Sequence, residues 1–353
     1  MFTGGNTLRQ DHYNALTLLI LIYCLFPLPS ASGHSPIISG DNSNLDEAMF
    51  IPDPTKSWAI YGELHEGSDA QYYRFEIEKG QRISISLMKP TNEENKEFMP
   101  VFVLAGPGLI GQGTAPKYVE LPAGAGAVVV AGRQPEKATY EPFSASSFYE
   151  LAELDIPAPE SGKYYIAVYG PGRGGHYSLA LGEREVFSIV EWILIPMSLI
   201  SIYQWEGQSL LIIFLPIAAT LAISMGFMLW WRKEWIPVSL FEWTGMLAGL
   251  LFLGTGFMVL FQMVLALSHT HLVSEVVITS ILALLSVLLG IAVTRIIMKN
   301  RKKVDTRKRI YLIILGIIAL FVWSGFLVGP VLAVMASLMS DRKPEPLGEQ
   351  KIQ

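Results

Sequence analysis

The chain has 353 residues, 51% of them hydrophobic and 16% charged, with a formal net charge of −5 and a mean hydropathy of +0.39. That is too apolar for an ordinary soluble protein, and nearly all of the apolar excess follows Phe187. Between His34 and Val186 stand 21 acidic against 12 basic residues, a balance that argues against nucleic acid and anionic lipid as partners of that part.

The N-terminus reads as a secretory signal over residues 1–33. Arg9 precedes an apolar run from Ala15 to Phe26, and Pro27, Pro29, Ser30, Ala31, Ser32 and Gly33 follow in the pattern of a cleavage region. About 12 apolar residues fall short of the ~20 needed to span a bilayer. Cys24 is the sole cysteine and lies inside this run, where the bulky Tyr23 before it speaks against lipid attachment. Without the signal the chain has no cysteine, so an exported domain is held by its core alone, which suits a prokaryotic envelope. Residues 34–57 read as a linker. Its oxygen-rich cluster, Asp41, Asn42, Ser43, Asn44, Asp46 and Glu47, lacks the glycine and full alternation of a calcium-binding EF-hand loop and is read as solvated.

Residues 58–186 carry a period-two pattern broken by Gly, Pro, Asn and Asp. Runs at Tyr72–Ile77, Arg82–Leu87, Val101–Ala105, Ala127–Ala131, Phe148–Leu154, Tyr164–Tyr169 and Tyr177–Leu181 are alternating, β-branched or aromatic. Seven or eight short strands separated by turns predict an antiparallel, all-β sandwich. Asp69, Tyr72, Tyr73 and Phe75, followed by Gly80, Gln81, Ile83 and Ile85, resemble the opening of the pre-peptidase C-terminal (PPC-type) β-sandwich family. Ser161, Gly162, Tyr164, Tyr165, Val168 and Tyr169, then Gly174, Tyr177 and Leu179, are similar to its final hairpin. Val101–Leu104 with Gly106, Pro107 and Gly108 stands where that family has an apolar strand ending in a turn. The resemblance covers about a third of the chain and departs from the family in a longer middle section, Gln112 to Leu154, and in the membrane helices that follow. It implies a binding or stabilising accessory module with no catalytic role. His34, His65 and His176 stand in no nucleophile motif, and the glycine-rich stretch from Gly170 to Gly175 has no following helix to present to a phosphate, so it is read as a hairpin turn.

Residues 187–207 contain Glu191, Pro196 and Ser198 framed by Trp192, Tyr203 and Trp205, residues that favour the water–lipid boundary, and are read as an interfacial or re-entrant elbow. Ser188 with Glu191 and Ser239 with Glu242 each form a capping-box pattern. Residues 208–340 are expected to hold a four-helix transmembrane domain with spans at Gln208–Trp231, Phe241–Leu267, Val273–Met298 and Tyr311–Met339. Arg232 and Lys233 follow the first span. Seven Lys or Arg lie between Lys299 and Arg309. Both loops are therefore expected in the cytoplasm, with the β-rich part and the polar tail 341–353 outside a multi-pass cell-membrane protein. Gly245 with Gly249 and Gly325 with Gly329 are small-residue pairs that let helices approach, within the bundle or in a helix-mediated oligomer. Pro216 and Pro330 are expected to kink their helices.

No cofactor is expected. His269, His271 and Glu275 are the one place where imidazoles and a carboxylate gather beside the membrane, and they are the candidate metal ligands. Histidines two apart, however, do not share a helical face, and the set falls short of a complete site. The functional expectation is a non-enzymatic envelope protein whose outer module binds a polysaccharide or protein ligand while its helices lie in the lipid bilayer. The alternative is a transport or channel subunit capped by that module, and it turns on the polar residues Thr255, Gln262 and Ser324 within the spans.

Overall fold

The computed structural model describes residues 34–65, 69–299 and 305–339. The expected signal peptide, Cys24 and the tail 341–353 lie outside the described residues, as do residues 300–304 of the basic loop.

The N-terminal part is sheet-rich. Eleven strands are formed: β1 (Ser35–Ile38), β2 (Met49–Phe50), β3 (Trp58–Leu64), β4 (Ala70–Ile77), β5 (Arg82–Pro90), β6 (Val101–Gly106), β7 (Gly126–Ala131), β8 (Thr139–Glu141), β9 (Ser146–Pro157), β10 (Gly162–Tyr169) and β11 (Gly175–Leu181). They make a six-stranded sheet in the order β1-β3-β11-β5-β9-β8 and a five-stranded sheet in the order β2-β4-β10-β6-β7. The segment 34–57, expected as linker, contributes β1 and β2, which pair in parallel with β3 and β4. These strands are too short to show a period. Asn42 in that segment is buried, and its side-chain amide donates to the Tyr72 carbonyl at 2.9 Å, so it serves as a fastening for β4.

Strand alternation explains where the apolar residues go. From the first sheet Ile60, Ile83, Ile85, Leu87, Leu179 and Leu181, and from the second Tyr73, Phe75, Phe102, Leu104, Tyr164 and Ile166, enter one core. The intervening residues of β5, Ser84 and Ser86, lie on the opposite face. A buried hydroxyl network crosses this core: the Tyr73 and Tyr177 hydroxyls are 2.6 Å apart, Tyr177 donates to Gln71 Oε1 at 2.5 Å and Tyr73 to Ser39 Oγ at 3.1 Å. Gly62 of β3 is required here, because a Cβ would lie 2.5 Å from the Tyr177 ring. Lys89, fully buried near the end of β5, donates to the carbonyls of Asn95, Lys96 and Phe98 at 2.8–3.0 Å and so pins the loop that follows.

The C-terminal part is helical: α1 (Ile189–Trp205), α2 (Leu210–Trp230), α3 (Leu240–Leu267), α4 (Val276–Met298), α5 (Thr306–Phe321) and α6 (Val328–Leu338). Ser188, Ser209, Ser239 and Asp305 accept backbone N–H groups at the starts of α1, α2, α3 and α5, as N-cap chemistry requires. The capping box anticipated at Ser188 and Glu191 is complete. Three helices, α2, α3 and α4, are long and apolar enough to cross a membrane. They pack closely through glycines: a Cβ on Gly249 would fall 2.7 Å from Thr294 Cγ2, and one on Gly256 2.7 Å from Val287 Cγ2. Gly245 likewise meets Ile297, so the small-residue pair 245/249 serves contacts inside the chain.

The fourth expected span, Tyr311–Met339, is not one helix. It breaks between α5 and α6, where Trp323 (φ 57°), Gly325 (φ 72°) and Phe326 (φ 54°) take left-handed conformations. The two helices then lie back to back: Gly316 of α5 faces Pro330, Ala333 and Val334 of α6, and the Arg309 guanidinium at the start of α5 donates to the Ser337 carbonyl at the end of α6. Continuous hydropathy concealed the break, since the turn is built from Val, Trp, Ser, Gly, Phe and Leu and contains no charge. The turn is held at mid-height of α3, where Gly325 N–H donates to Thr255 Oγ1 at 2.9 Å and Gly325 and Gly329 fit against the Phe252 ring.

Candidate functional site: the seam between sheets and helices and the adjoining cleft

Helix α1 joins the two parts, and both of its ends are fastened to the sheets. At its start Glu191 pairs with Lys56 at 2.5 Å. Burial alone would raise the Glu191 carboxyl, but the Lys56 ammonium and the Ser188 backbone and hydroxyl outweigh it and hold it down to about 2. At its end Trp205 Nε1 donates to the Gly62 carbonyl at 3.2 Å, His176 Nδ1 lies 2.6 Å from the Trp205 carbonyl, and the Trp205 ring meets Tyr61 edge-on at 5.0 Å. The opposite edge of α1 exposes Ile189, Val190, Leu194 and Met197. Its Trp192 packs on Trp323 at the tip of the α5–α6 hairpin, each indole donating to a carbonyl on the other segment.

A second fastening runs through residues 139–147. The Tyr140 hydroxyl meets Thr279 Oγ1 of α4 at 2.6 Å, Thr279 donates to the Pro142 carbonyl at 2.6 Å, and Tyr203 of α1 donates to the Ser144 carbonyl at 2.5 Å. All three side chains are buried. Asn92 adds a bond to the Glu206 carbonyl at 3.0 Å. Within this seam Glu141 accepts from Phe143 N–H at 3.0 Å. Glu206 accepts from the Ser146 hydroxyl, the Ser147 N–H and Gln208. Burial pushes Glu141 up to about 7, with a further push from Glu185. Burial likewise pushes Glu206 up to about 8 against the donors that favour its charged form. Burial also raises the Tyr61 phenol, with Glu141 and Glu206 adding to the effect.

Beside the seam the outer face of the six-stranded sheet is hollowed into a cleft of about 340 Å³. Ser84, Ser86, Ala180 and Gly182 form a floor of small side chains, and Glu150, Glu183 and Glu185 stand around it. At one edge Ser57 Oγ and His34 Nδ1 are 2.5 Å apart. Arg82 pairs with Glu183 at 3.3 Å and also grips Asp155. Sequence reasoning passed over these carboxylates because the signal is three-dimensional: β5, β9 and β11 are distant in the chain and adjacent in the sheet.

No family model matches the chain, and no curated protein matches it either.

Of the candidate residues named from sequence, His269, His271 and Glu275 are all exposed in the turn between α3 and α4, and Glu275 accepts from the Ser274 hydroxyl at 3.0 Å. Among the described residues no group of three or more His, Cys, Asp or Glu side chains is placed to hold a metal ion. The polar residues of the spans are spoken for in part: Gln262 and Gln208 exchange two hydrogen bonds of 2.8 Å, and Thr255 donates to the Leu251 carbonyl. Ser324 is fully buried in the hairpin turn; its N–H donates to the Ala319 carbonyl at 2.9 Å, and its hydroxyl has no hydrogen-bond partner among the described residues.

Proposed function

We propose that the protein is a multi-pass membrane protein carrying an extracytoplasmic β-sandwich of PPC type as a binding module, fixed rigidly on its helical base, with a polysaccharide or protein of the envelope as ligand. The observation that carries this reading is the double fastening of the sheets, through α1 and through residues 139–147, onto helices of membrane-spanning length. A single flexible tether would suffice for display, whereas hydrogen bonds through both α1 and residues 139–147 keep a binding surface at a fixed height and orientation above the bilayer. The charge of the cleft favours a ligand bearing cationic groups.

In this reading α2, α3 and α4 cross the membrane, and the aromatic residues Trp230, Trp231 and Trp235 with Arg232 and Lys233 mark the cytoplasmic boundary. The α5–α6 hairpin enters from that side and returns to it, in place of a fourth span. The C-terminal end of α6 then belongs to the cytoplasmic side, opposite to what four spans require. The transport alternative draws support from one feature, the non-helical turn at mid-height of α3 with the Ser324 hydroxyl that has no partner among the described residues, since broken helices at membrane depth are a transporter device.

The test is equilibrium binding of the full chain in lipid nanodiscs to a cationic aminoglycan oligomer and to its neutral N-acetylated counterpart. The cationic oligomer is expected to bind more tightly, and Glu150→Gln with Glu185→Gln to weaken it about tenfold or more. Binding of neither probe at millimolar concentration, or no effect of the substitutions, would remove the cleft from the binding reading. A solute flux through proteoliposomes that Ser324→Ala abolishes would favour the transport alternative.

A further inference from the structure

The cleft runs on in the chain into helix α1. Glu185 stands at the cleft three residues before Ser188, the N-cap of α1, and Val186, Ile189 and Val190 follow it as exposed apolar residues. Along α1, Val190, Leu194 and Met197 recur at i, i+4 and i+7, so they fall on one face, and all three are exposed. The opposite face is occupied: Leu199, Ile200 and Tyr203 pack with Ile213 and Ile217 of α2 and Met258 of α3. The open stripe therefore runs beside helices of membrane-spanning length. The cleft has an apolar wall of its own in Met88 and Phe148, and no Lys or Arg is among the described residues that line it. Glu183 is engaged by Arg82, whereas Glu150 and Glu185 form no ion pair among the described residues. Ser178 lies two residues before Ala180 on the face that floors the cleft and is paired in register with Met88. It is buried, and its hydroxyl has no hydrogen-bond partner among the described residues.

We propose that the cleft and this stripe form one site for a membrane amphiphile whose head ends in an ammonium group, the chemistry of an aminophospholipid. The ammonium goes to Glu150 and Glu185 through charge-assisted hydrogen bonds, over a floor whose small side chains leave it room. The acyl chain lies along Val190, Leu194 and Met197. The carboxylates around the cleft repel a purely anionic head, so the site discriminates by head-group charge. The inference rests on the reading that the cleft takes cationic groups, and it names the membrane as their source. A saccharide would leave the stripe unused, whereas an ammonium on a chain already in the bilayer is delivered to the cleft at high effective concentration.

Native mass spectrometry of the full chain, offered phosphatidylethanolamine and phosphatidylglycerol in equal amounts, tests it. Retained phosphatidylethanolamine is expected to exceed phosphatidylglycerol by about tenfold or more. Glu150→Gln with Glu185→Gln is expected to remove that preference, and Leu194→Ala with Met197→Ala to lower phosphatidylethanolamine retention about fivefold. Ile223→Ala, at an exposed site on α2, is expected to change neither. All five residues are exposed, so the variants should fold, and the preference of the unmodified protein is itself a readout. Equal retention of the two lipids, a preference that survives Glu150→Gln with Glu185→Gln, retention indifferent to Leu194→Ala with Met197→Ala, or an equal loss in Ile223→Ala would each overturn the proposal. The soluble aminoglycan oligomer separates the two readings. If it binds in the cleft while phosphatidylethanolamine is not preferred, the lipid site falls and the cleft reading stands; if neither binds, both fall.

Discussion

Replacing Gly325 by alanine separates a hairpin from a continuous helix by the sign of its effect. In the structure Gly325 has φ +72°, and an added Cβ would lie 2.6 Å from Phe252 Cδ1 and 2.9 Å from Gly329 Cα. The left-handed backbone costs a non-glycine residue about 1 kcal/mol, and forcing a methyl against a ring and a backbone costs about 1–3 kcal/mol more, so Gly325→Ala should destabilise the protein by about 2–4 kcal/mol. Were Tyr311–Met339 one uninterrupted helix, the same change would be stabilising by about 1 kcal/mol, the difference between alanine and glycine in a helix interior. Unfolding of the full chain by denaturing detergent in mixed micelles, followed by circular dichroism, measures the difference. A Gly325→Ala variant as stable as the parent, or more so, would refute the hairpin.

Further expectations concern the sheet part and the seam. Lys89→Met removes the ammonium that donates to the carbonyls of Asn95, Lys96 and Phe98, two of these bonds being buried, and should cost about 2–4 kcal/mol in chemical unfolding. Tyr177→Phe removes the hydroxyl that links Tyr73 to Gln71 and should cost about 1–2 kcal/mol, with near-ultraviolet dichroism otherwise preserved. Glu191, held below its ordinary value, contributes stability that is present above about pH 4.5 and lost as pH falls toward about 2. Glu191→Gln should therefore flatten the acid limb of the stability profile and cost about 1–3 kcal/mol at neutral pH.

Legibility in the sequence followed periodicity. All seven strands named from alternation are present, extended by one to five residues at their ends, because Tyr, Val, Ile and Phe at every second position leave one way to bury both faces. β3 (Trp58–Leu64) fell inside the general period-two reading from residue 58 without being named as a strand of its own, and β1, β2 and β8 escaped notice because two to four residues carry no period. The apolar segments of α2, α3 and α4 were equally plain. The break at Trp323–Phe326 was hidden, since a turn enclosed by Phe252, Thr255 and α1 needs no polar residue to be stable and only Gly325 hints at it. The seam was legible in fragments, as the Ser188–Glu191 cap and the aromatic frame of Trp192, Tyr203 and Trp205. Its contacts were not: Tyr61, Tyr140 and Ser144 are far in the chain from Trp205, Thr279 and Tyr203 and meet them only in the fold.

The placement of the chain across the bilayer is tested most directly by cysteine accessibility in intact cells, with single cysteines at Lys163, Lys299 and Leu338. The sheets on one side, with the α4 end and the returning hairpin on the other, predict that Lys163→Cys reacts with an impermeant maleimide from outside while Lys299→Cys and Leu338→Cys react only after permeabilisation. Labelling of Leu338→Cys in intact cells would restore a fourth crossing, and labelling of Lys163→Cys and Lys299→Cys from the same side would contradict the membrane placement as a whole.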